Sequence, residues 1–473
     1  MTDERPLLLR GGTVITMDPS LGVLPRGDVL VREGTIEAVA PGIEVAPGTR
    51  VIDADGTIVL PGLIDAYRHG WQTVLRGVGV EWTLTDHFAW MFGAFGPHVR
   101  PEDVYAGNLA AAVEHLDAGV TTLADWSDAS RTPEHAEAAI DALRDSGIRA
   151  RYVYADAFAS PQNYVPTAYV KELHQRLGSG TGRLTMQVAI DPTLADGFPE
   201  RRAWAFAHEH GIPVYSHAGQ YGWGNEVYLK QLKKHGFLGP TNTYVHVVAV
   251  TGDETRAIAD SGGTAVMATL GNLCQGQGYP AITPLRELGV PVALGTDSDA
   301  RLRPDLFAAM RAALAADRGR EHSLAHRAGH INPVNRLRSR DVLDAATLAG
   351  ARAVGHASAI GTVAPGRRAD LVVLRPDTES AVPYGVDPIA HVVWQGAPER
   401  VDTVIVDGDV VKRNGVLAGV GLAEARELAR RTRDHLISKV GEDAFRAAAT
   451  RPAADPEQRP RRSFPPAPKP DDP

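Results

Sequence analysis

The sequence predicts an α/β fold: a TIM-type (β/α)8 barrel carrying a small β-sandwich domain split between the two chain ends. Three observations predict it. The first 60 residues are β-rich and free of helical patterning. Eight strand candidates then alternate with helical segments over residues 61–357, and β texture returns over residues 358–415.

The opening segment reads as short strands. "LLLRGGTVITMD", "GDVLVREGTIEAVA" and "TRVIDADGTIVLPG" alternate or cluster Val and Ile, with Gly34 and Gly56 between runs as hairpin turns require. The first barrel strand is "IVLPGLIDAYRH". A helix follows in "RPEDVYAGNLAAAVEHLDAG", with Pro101 near its start and Gly119 past its end, and then the strand "VTTLAD". Thr132 and Pro133 open the next helix as N-cap and first-turn residues, and "RARYVYADAF" is the third strand. "LTMQVAID", "IPVYSHAGQ", "TYVHVVAV", "GTAVMATL" and "VPVALGTDSD" supply the remaining five. Residues 358–415 complete the small domain, residues 416–450 read as an amphipathic helix, and the Pro-rich residues 451–473 read as a disordered tail.

Composition narrows the function. A chain of 473 residues with 44% hydrophobic and 22% charged residues has the make-up of a globular protein large enough for a barrel. A net charge of -8, with scattered arginines and no basic stripe, argues against a nucleic-acid partner. The single cysteine, Cys274, rules out an internal disulfide framework and a Cys-based zinc site. The first residues do not have the pattern of a signal peptide, and no apolar window reaches the roughly 18 residues of a membrane helix. The expectation is a cytoplasmic enzyme with a small-molecule substrate and no membrane partner.

Reactive groups of a barrel sit at the C-terminal ends of its strands. The first strand ends at Tyr67 and His69, the fifth at His217 and Gln220, the sixth carries His246, and the eighth ends in Asp297 and Asp299. Two residues one position apart on a strand share a face, so Tyr67 and His69 point the same way. Three histidines and an aspartate at strand ends suit a divalent metal held by nitrogen and oxygen. Trp71, Gln72 and Arg76, on the loop after His69, are candidate substrate contacts, since aromatic and amide groups suit a planar heterocycle. Asp65 reads as support for the first strand. His208 and His210 read as surface residues, as do His322, His326 and His330 at helical spacing.

The ordered segments "VLPGLIDAYRHGWQTVLRG", "GVTTLADWSD", "YSHAGQ", "VHVVAVTGDE", "LGTDSDARLRPDLFAAMRAAL", "AATLAGARAVG" and "IGTVAPGRRADLVVL" resemble the amidohydrolase superfamily, in its cytosine-deaminase-like and triazine-hydrolase-like branch. The resemblance implies one divalent metal, zinc before iron, held by a His-x-His pair on the first strand, a His on the fifth and an Asp on the eighth. His69, His217 and Asp297 match those ligand positions. It further implies that His246 polarises substrate or water and that Asp297 takes a proton. Three positions depart from the pattern. Tyr67 stands where the first His is expected, Gln220 where a proton-shuttling Glu is expected, and Trp126 follows Asp125 where some relatives carry a further His. A phenol is a poor ligand at neutral pH and an amide cannot take a proton. Tyr67 therefore leaves open a site with no metal.

The implied activity is hydrolysis of a C–N bond in a small nitrogen heterocycle, by deamination or amide or amidine cleavage with a metal-activated water. The alternatives are a metal-free acid–base enzyme using the same pocket, catalysing isomerisation, elimination or altered hydrolysis, and a silent ligand-binding relative. The resemblance also implies a homodimer paired through barrel helices.

Overall fold

The structure, a computed structural model, describes residues 5–193, 195, 197–220, 226–298, 300–376 and 387–450. The Pro-rich tail over 451–473 and the expected strand-end acid Asp299 lie outside the described residues.

The two chain ends meet in one mixed sheet. Its N-terminal strands are β1 (Leu7–Ile15), β2 (Val23–Arg32), β3 (Thr35–Ala40), β4 (Arg50–Asp53) and β5 (Ile58–Pro61). The barrel strands follow: β6 (Leu63–His69), β7 (Val120–Ser127), β8 (Arg149–Tyr154), β9 (Leu184–Ala189), β10 (Val214–Ala218), β11 (Asn242–His246), β12 (Thr264–Met267), β13 (Val292–Leu294) and β14 (Asp297–Ser298). The chain then returns to the first sheet with β15 (Leu371–Leu374), β16 (Val401–Val406), β17 (Asp409–Arg413) and β18 (Val416–Leu417). The mixed sheet runs β18-β17-β16-β15-β5-β1-β2-β3, with β4 paired to β1. Its two halves are joined where Leu60 of β5 lies opposite Val372 of β15 in antiparallel register.

The second sheet is parallel throughout and runs β13-β12-β11-β10-β9-β8-β7-β6-β14. β13 pairs with β12 while β14 pairs with β6, so the eighth strand, in two pieces, bridges the seventh and the first. Gly295 lies in the gap between the pieces. A Cβ there would come within 2.7 Å of the Tyr67 Cβ, so only glycine lets the eighth strand approach Tyr67 this closely.

The apolar run "IVLPGLIDAYRH" is not one strand. Ile58–Pro61 belongs to the mixed sheet and Leu63–His69 to the barrel, with Gly62 between them. A side chain at Gly62 would collide with Thr121, its Cβ falling 2.0 Å from Oγ1. The chain thus passes from one sheet to the other without a loop. Inside the barrel, Ile64, Ala66, Tyr67, Trp126, Val153, Tyr215, Val245, Val266 and Ala293 form one buried cluster.

Residues 416–450 contain more than the expected helix: β18 comes first, then helices Leu422–Val440 and Glu442–Thr450. They separate at Gly441, whose φ of 88° ends the first helix in a conformation that favours glycine. The second helix is tied to the barrel by the Trp82 indole, which donates to the Ala448 carbonyl at 2.7 Å. No helix among the described residues is long and apolar enough to cross a membrane.

Candidate active site

A cavity of about 400 Å³ opens at the C-terminal ends of the barrel strands. Tyr67, His69, Trp126, His217, His246 and Asp297 line its base, and Phe88, Phe92 and Phe158 line its rim.

Tyr67 sits at the centre of the base. Its Oη lies 2.7 Å from His69 Nε2 and 2.7 Å from His217 Nε2. Each imidazole has a carboxylate behind it: His217 Nδ1 is hydrogen-bonded to Asp191 Oδ1 at 2.9 Å, while His69 Nδ1 lies 2.9 Å from Asp128 Oδ2 without hydrogen-bond geometry. The Nδ1–H of His217 donates to Asp191, which leaves its Nε2 as an acceptor for the Tyr67 hydroxyl. One hydroxyl proton cannot serve two lone pairs. The phenol oxygen, with one proton and its lone pairs, can donate to one imidazole and accept from the other. Burial opposes charge on His69, but the carboxylates of Asp128, Asp297 and Asp125 outweigh burial and raise its pKa. Burial and the facing carboxylates of Asp297, Asp128 and Asp191 hold the Tyr67 phenol protonated well above its usual range.

The loop after β6 fixes this arrangement. Trp71 is buried and its indole N–H donates to Asp128 Oδ1, leaving Oδ2 to face His69. Asp125 accepts from the Gly70 amide at 2.9 Å and from Asn108 at 3.1 Å, and burial pushes its pKa up to about 7. Asp65 supports the base of the strand, accepting from the Tyr67 amide at 3.2 Å and the Thr296 amide at 3.1 Å and pairing with His115 at 3.0 Å.

A row of carboxamides forms another part of the wall. Asn272 Nδ2 donates to His246 Nδ1 at 2.8 Å and to Gln277 Oε1 at 3.2 Å. Gln277 Oε1 also accepts from Gln220 Nε2 at 3.0 Å, and Gln277 Nε2 donates to Gln275 Oε1 at 2.5 Å. Because His246 accepts at Nδ1, its hydrogen is on Nε2, and the ring is a donor toward the cavity. Burial, with His217 and His69 nearby, pushes the His246 pKa well down and keeps the ring neutral. Among the described residues, Gln220 Oε1, Gln275 Nε2 and Asp297 Oδ2 are buried without a hydrogen-bond partner, and all three residues line the cavity. Buried polar atoms left unpaired in a cavity wall mark places for a ligand to bind.

The backbone is strained at two of these strand ends. His246 and Asp297 have φ of 75° and 62°, a region that non-glycine residues enter at a cost of about 1–3 kcal/mol. Such strain persists where the surrounding structure dictates a side chain's aim.

Of the residues singled out from sequence, Tyr67, His69, His217, His246, Gln220, Asp297 and Trp126 meet in the cavity. The Trp126 and His217 rings lie 4.1 Å apart between centroids. Trp71 and Gln72 are buried behind the lining, Gln72 accepting from Ser298 at 2.5 Å. Arg76 pairs with Glu114 in a separate groove. Sequence reading missed Asp128, Asp191, His87, Asn272, Gln275 and Gln277. Asp191 lies two residues past the end of β9, so the strand-end rule could have found it. His87 lines the rim from a short helix, Leu84–His87, and burial pushes its pKa well down. No spacing signal marks it.

The metal expectation can be tested against this geometry. Zinc sits about 2.0–2.1 Å from imidazole nitrogen, at the point where the ligand lone pairs converge. Here the point faced by His69 Nε2 and His217 Nε2 is taken by the Tyr67 oxygen. The residues as arranged do not fit a resident metal ion, and among the described residues no cluster of three His, Cys, Asp or Glu has metal-holding geometry.

Comparison with known proteins agrees with the architecture. The profile of the Amidohydrolase family matches residues 58–411. The chain is 27% identical over 374 residues to a 5-methylthioadenosine/S-adenosylhomocysteine deaminase of Acetivibrio thermocellus, covering 76% of this chain and 81% of that one. Among solved structures, a zinc-bound adenosine deaminase from Xanthomonas campestris superposes with a TM-score of 0.78 at 24% identity, covering 93% of this chain and all of that one. An atrazine chlorohydrolase from Arthrobacter aurescens complexed with zinc gives 0.74 at 23% identity, covering 90% of this chain and all of that one.

Proposed function

This chain belongs to the amidohydrolase family, and on that footing we propose that it hydrolyses a C–N bond of a small planar nitrogen heterocycle, releasing an amine or ammonia. The observation that carries the reading is the carboxamide wall. Gln220 offers an unpaired acceptor and Gln275 an unpaired donor in one cavity whose rim carries Phe88, Phe92 and Phe158. A donor beside an acceptor complements the ring N–H and carbonyl, or ring nitrogen and amine, of a heterocycle, and the aromatic rim suits its flat faces. The deaminase names of the relatives point to the same substrate class.

The chemistry follows from three groups. The Asp297 carboxylate, which lines the cavity and faces His69 through Oδ1, accepts a proton from the attacking water as the water oxygen bonds to the ring carbon. His246 Nε2–H donates a hydrogen bond to charge developing on the ring. Asp297 then returns the proton to the leaving nitrogen, the C–N bond breaks, and the ring keeps the water oxygen.

The test is ammonia release from a panel of aminated purines, pyrimidines and triazines, with Asp297→Asn as control. Turnover of at least one ring, lost in the control, is expected. Silence across the whole panel would refute the reading. A ring rearranged or dehydrated without release of nitrogen would instead favour isomerisation or elimination, which the acid–base groups around Tyr67 also suit.

A further inference from the structure

We infer that the Tyr67 hydroxyl occupies the place of the metal ion, so that the base of this active site is organised by hydrogen bonds and excludes zinc. The inference rests on the reading of this cavity as the catalytic one. Asp128, His69, Tyr67, His217 and Asp191 stand in a row with separations of 2.9, 2.7, 2.7 and 2.9 Å; the last three are hydrogen bonds and the first is a close approach of carboxylate to imidazole. In a metal site the two carboxylates would fix the imidazoles and the imidazoles would grip the ion. Here the carboxylates still fix the imidazoles, and both imidazoles grip a phenol oxygen.

Three further observations support displacement. Tyr67 is 2% exposed and its ring meets those of His69, Trp126, His217 and His246 edge-on, at 5.0–5.6 Å between centroids, so it cannot swing aside without emptying the base. Gly295 presses on it from the eighth strand, where even a methyl group would collide. His69 Nε2 also lies 3.8 Å from Asp297 Oδ1, so the aspartate already faces an imidazole across the same point. A dication has no opening here: the Tyr67 oxygen already stands where the two Nε2 atoms converge. Tyr67 is thus a positioning residue, holding His69 and His217 at a fixed separation beneath the bound ring.

Elemental analysis and zinc titration of the full chain test this. The wild type, produced in zinc-supplemented medium, should hold less than about a tenth of an equivalent of metal and show no stoichiometric uptake of added zinc. Tyr67→Ala and Tyr67→His, which open the coordination point, should bind about one equivalent at least about tenfold more tightly than the wild type. Circular dichroism checks that both variants stay folded, and either one suffices. A wild type carrying close to one equivalent would overturn the inference, as would two folded variants that gain none. In the heterocycle assay, wild-type turnover should survive a strong chelator. Turnover lost on chelation and restored by zinc would also overturn it. An empty substrate panel would sink the proposed activity alone, because the zinc measurements need no substrate.

Discussion

Replacing Tyr67 by Phe keeps the ring and its edge-on contacts and deletes one oxygen. That oxygen bridges two buried nitrogens, at 2.7 Å from each. Without it, His69 Nε2 and His217 Nε2 face each other across an apolar gap. A buried polar atom that loses its partner costs about 1–3 kcal/mol, and bonds to a charged group lie at the upper end. Two such atoms give a loss of about 2 kcal/mol or more. Urea unfolding of wild type and variant side by side, followed by tryptophan fluorescence, measures the difference; Trp126 against His217 is one of its reporters. If folding is irreversible, unfolding rates give the same comparison. A loss below about 1 kcal/mol would refute the bridging role.

Gln275→Ala removes the unpaired donor from the wall. It should raise KM about tenfold for a heterocycle that uses it and leave kcat nearly unchanged, as steady-state kinetics would show; an unchanged KM would contradict the edge-reading role. Gly295→Ala places a methyl carbon 2.7 Å from the Tyr67 Cβ and should destabilise the fold by about 1–3 kcal/mol, read from the unfolding midpoint; a neutral variant would show that the eighth strand can yield. Buried His356 has its pKa lowered to about 3, burial being the main cause. Its unfolded form takes a proton below about pH 6.5 while the native form stays neutral, so stability is lost as pH falls from 6.5 towards 3, by about 1.4 kcal/mol per unit. At pH 4 the loss reaches about 3 kcal/mol. His69, whose pKa is raised, acts in the opposite sense: its contribution is full below about 6.5 and disappears as pH rises through its raised value. Comparing wild type with His356→Gln at pH 7 and pH 4 isolates the His356 part, and parallel curves would count against it.

The barrel was legible because its signals are local. Pro101, Thr132 and Pro133 open helices, Gly119 and Gly147 close them, and the Val- and Ile-rich strands lie between. The passage between sheets at Gly62 was not legible, since an apolar run looks the same whichever sheet it joins. In the site, His69, His217, His246 and Asp297 could be found because barrel topology says where strand-end ligand types converge. Asp128, like Asp191, stands just past a strand end; what the sequence does not show is its bond to Trp71 from another loop. Gln275 and Gln277 were hidden for a chemical reason. Neutral amides are common on surfaces, and only their burial and mutual bonding give these two meaning. Tyr67 was recognised as a departure from the family pattern, but that its oxygen would fill the convergence point is a fact of distance, which no spacing encodes.

The carboxamide row has a direction. Every amide has a donor end and an acceptor end, and each link in the row constrains the next. His246 accepts from Asn272, Asn272 donates to Gln277, and the row runs out to Gln220 and Gln275 with opposite free ends. Were His246 to carry its hydrogen on Nδ1 instead, Asn272 would have to turn round, and Gln277, Gln220 and Gln275 with it. The wall would then present a donor where it now presents an acceptor, and the reverse at the other end. Ring selectivity in this cavity is therefore one two-valued property shared by five side chains, written at a histidine that also faces the substrate. Engineering it one glutamine at a time would break the row before it re-aimed it, whereas reversing the histidine end would invert the whole recognition pattern at once.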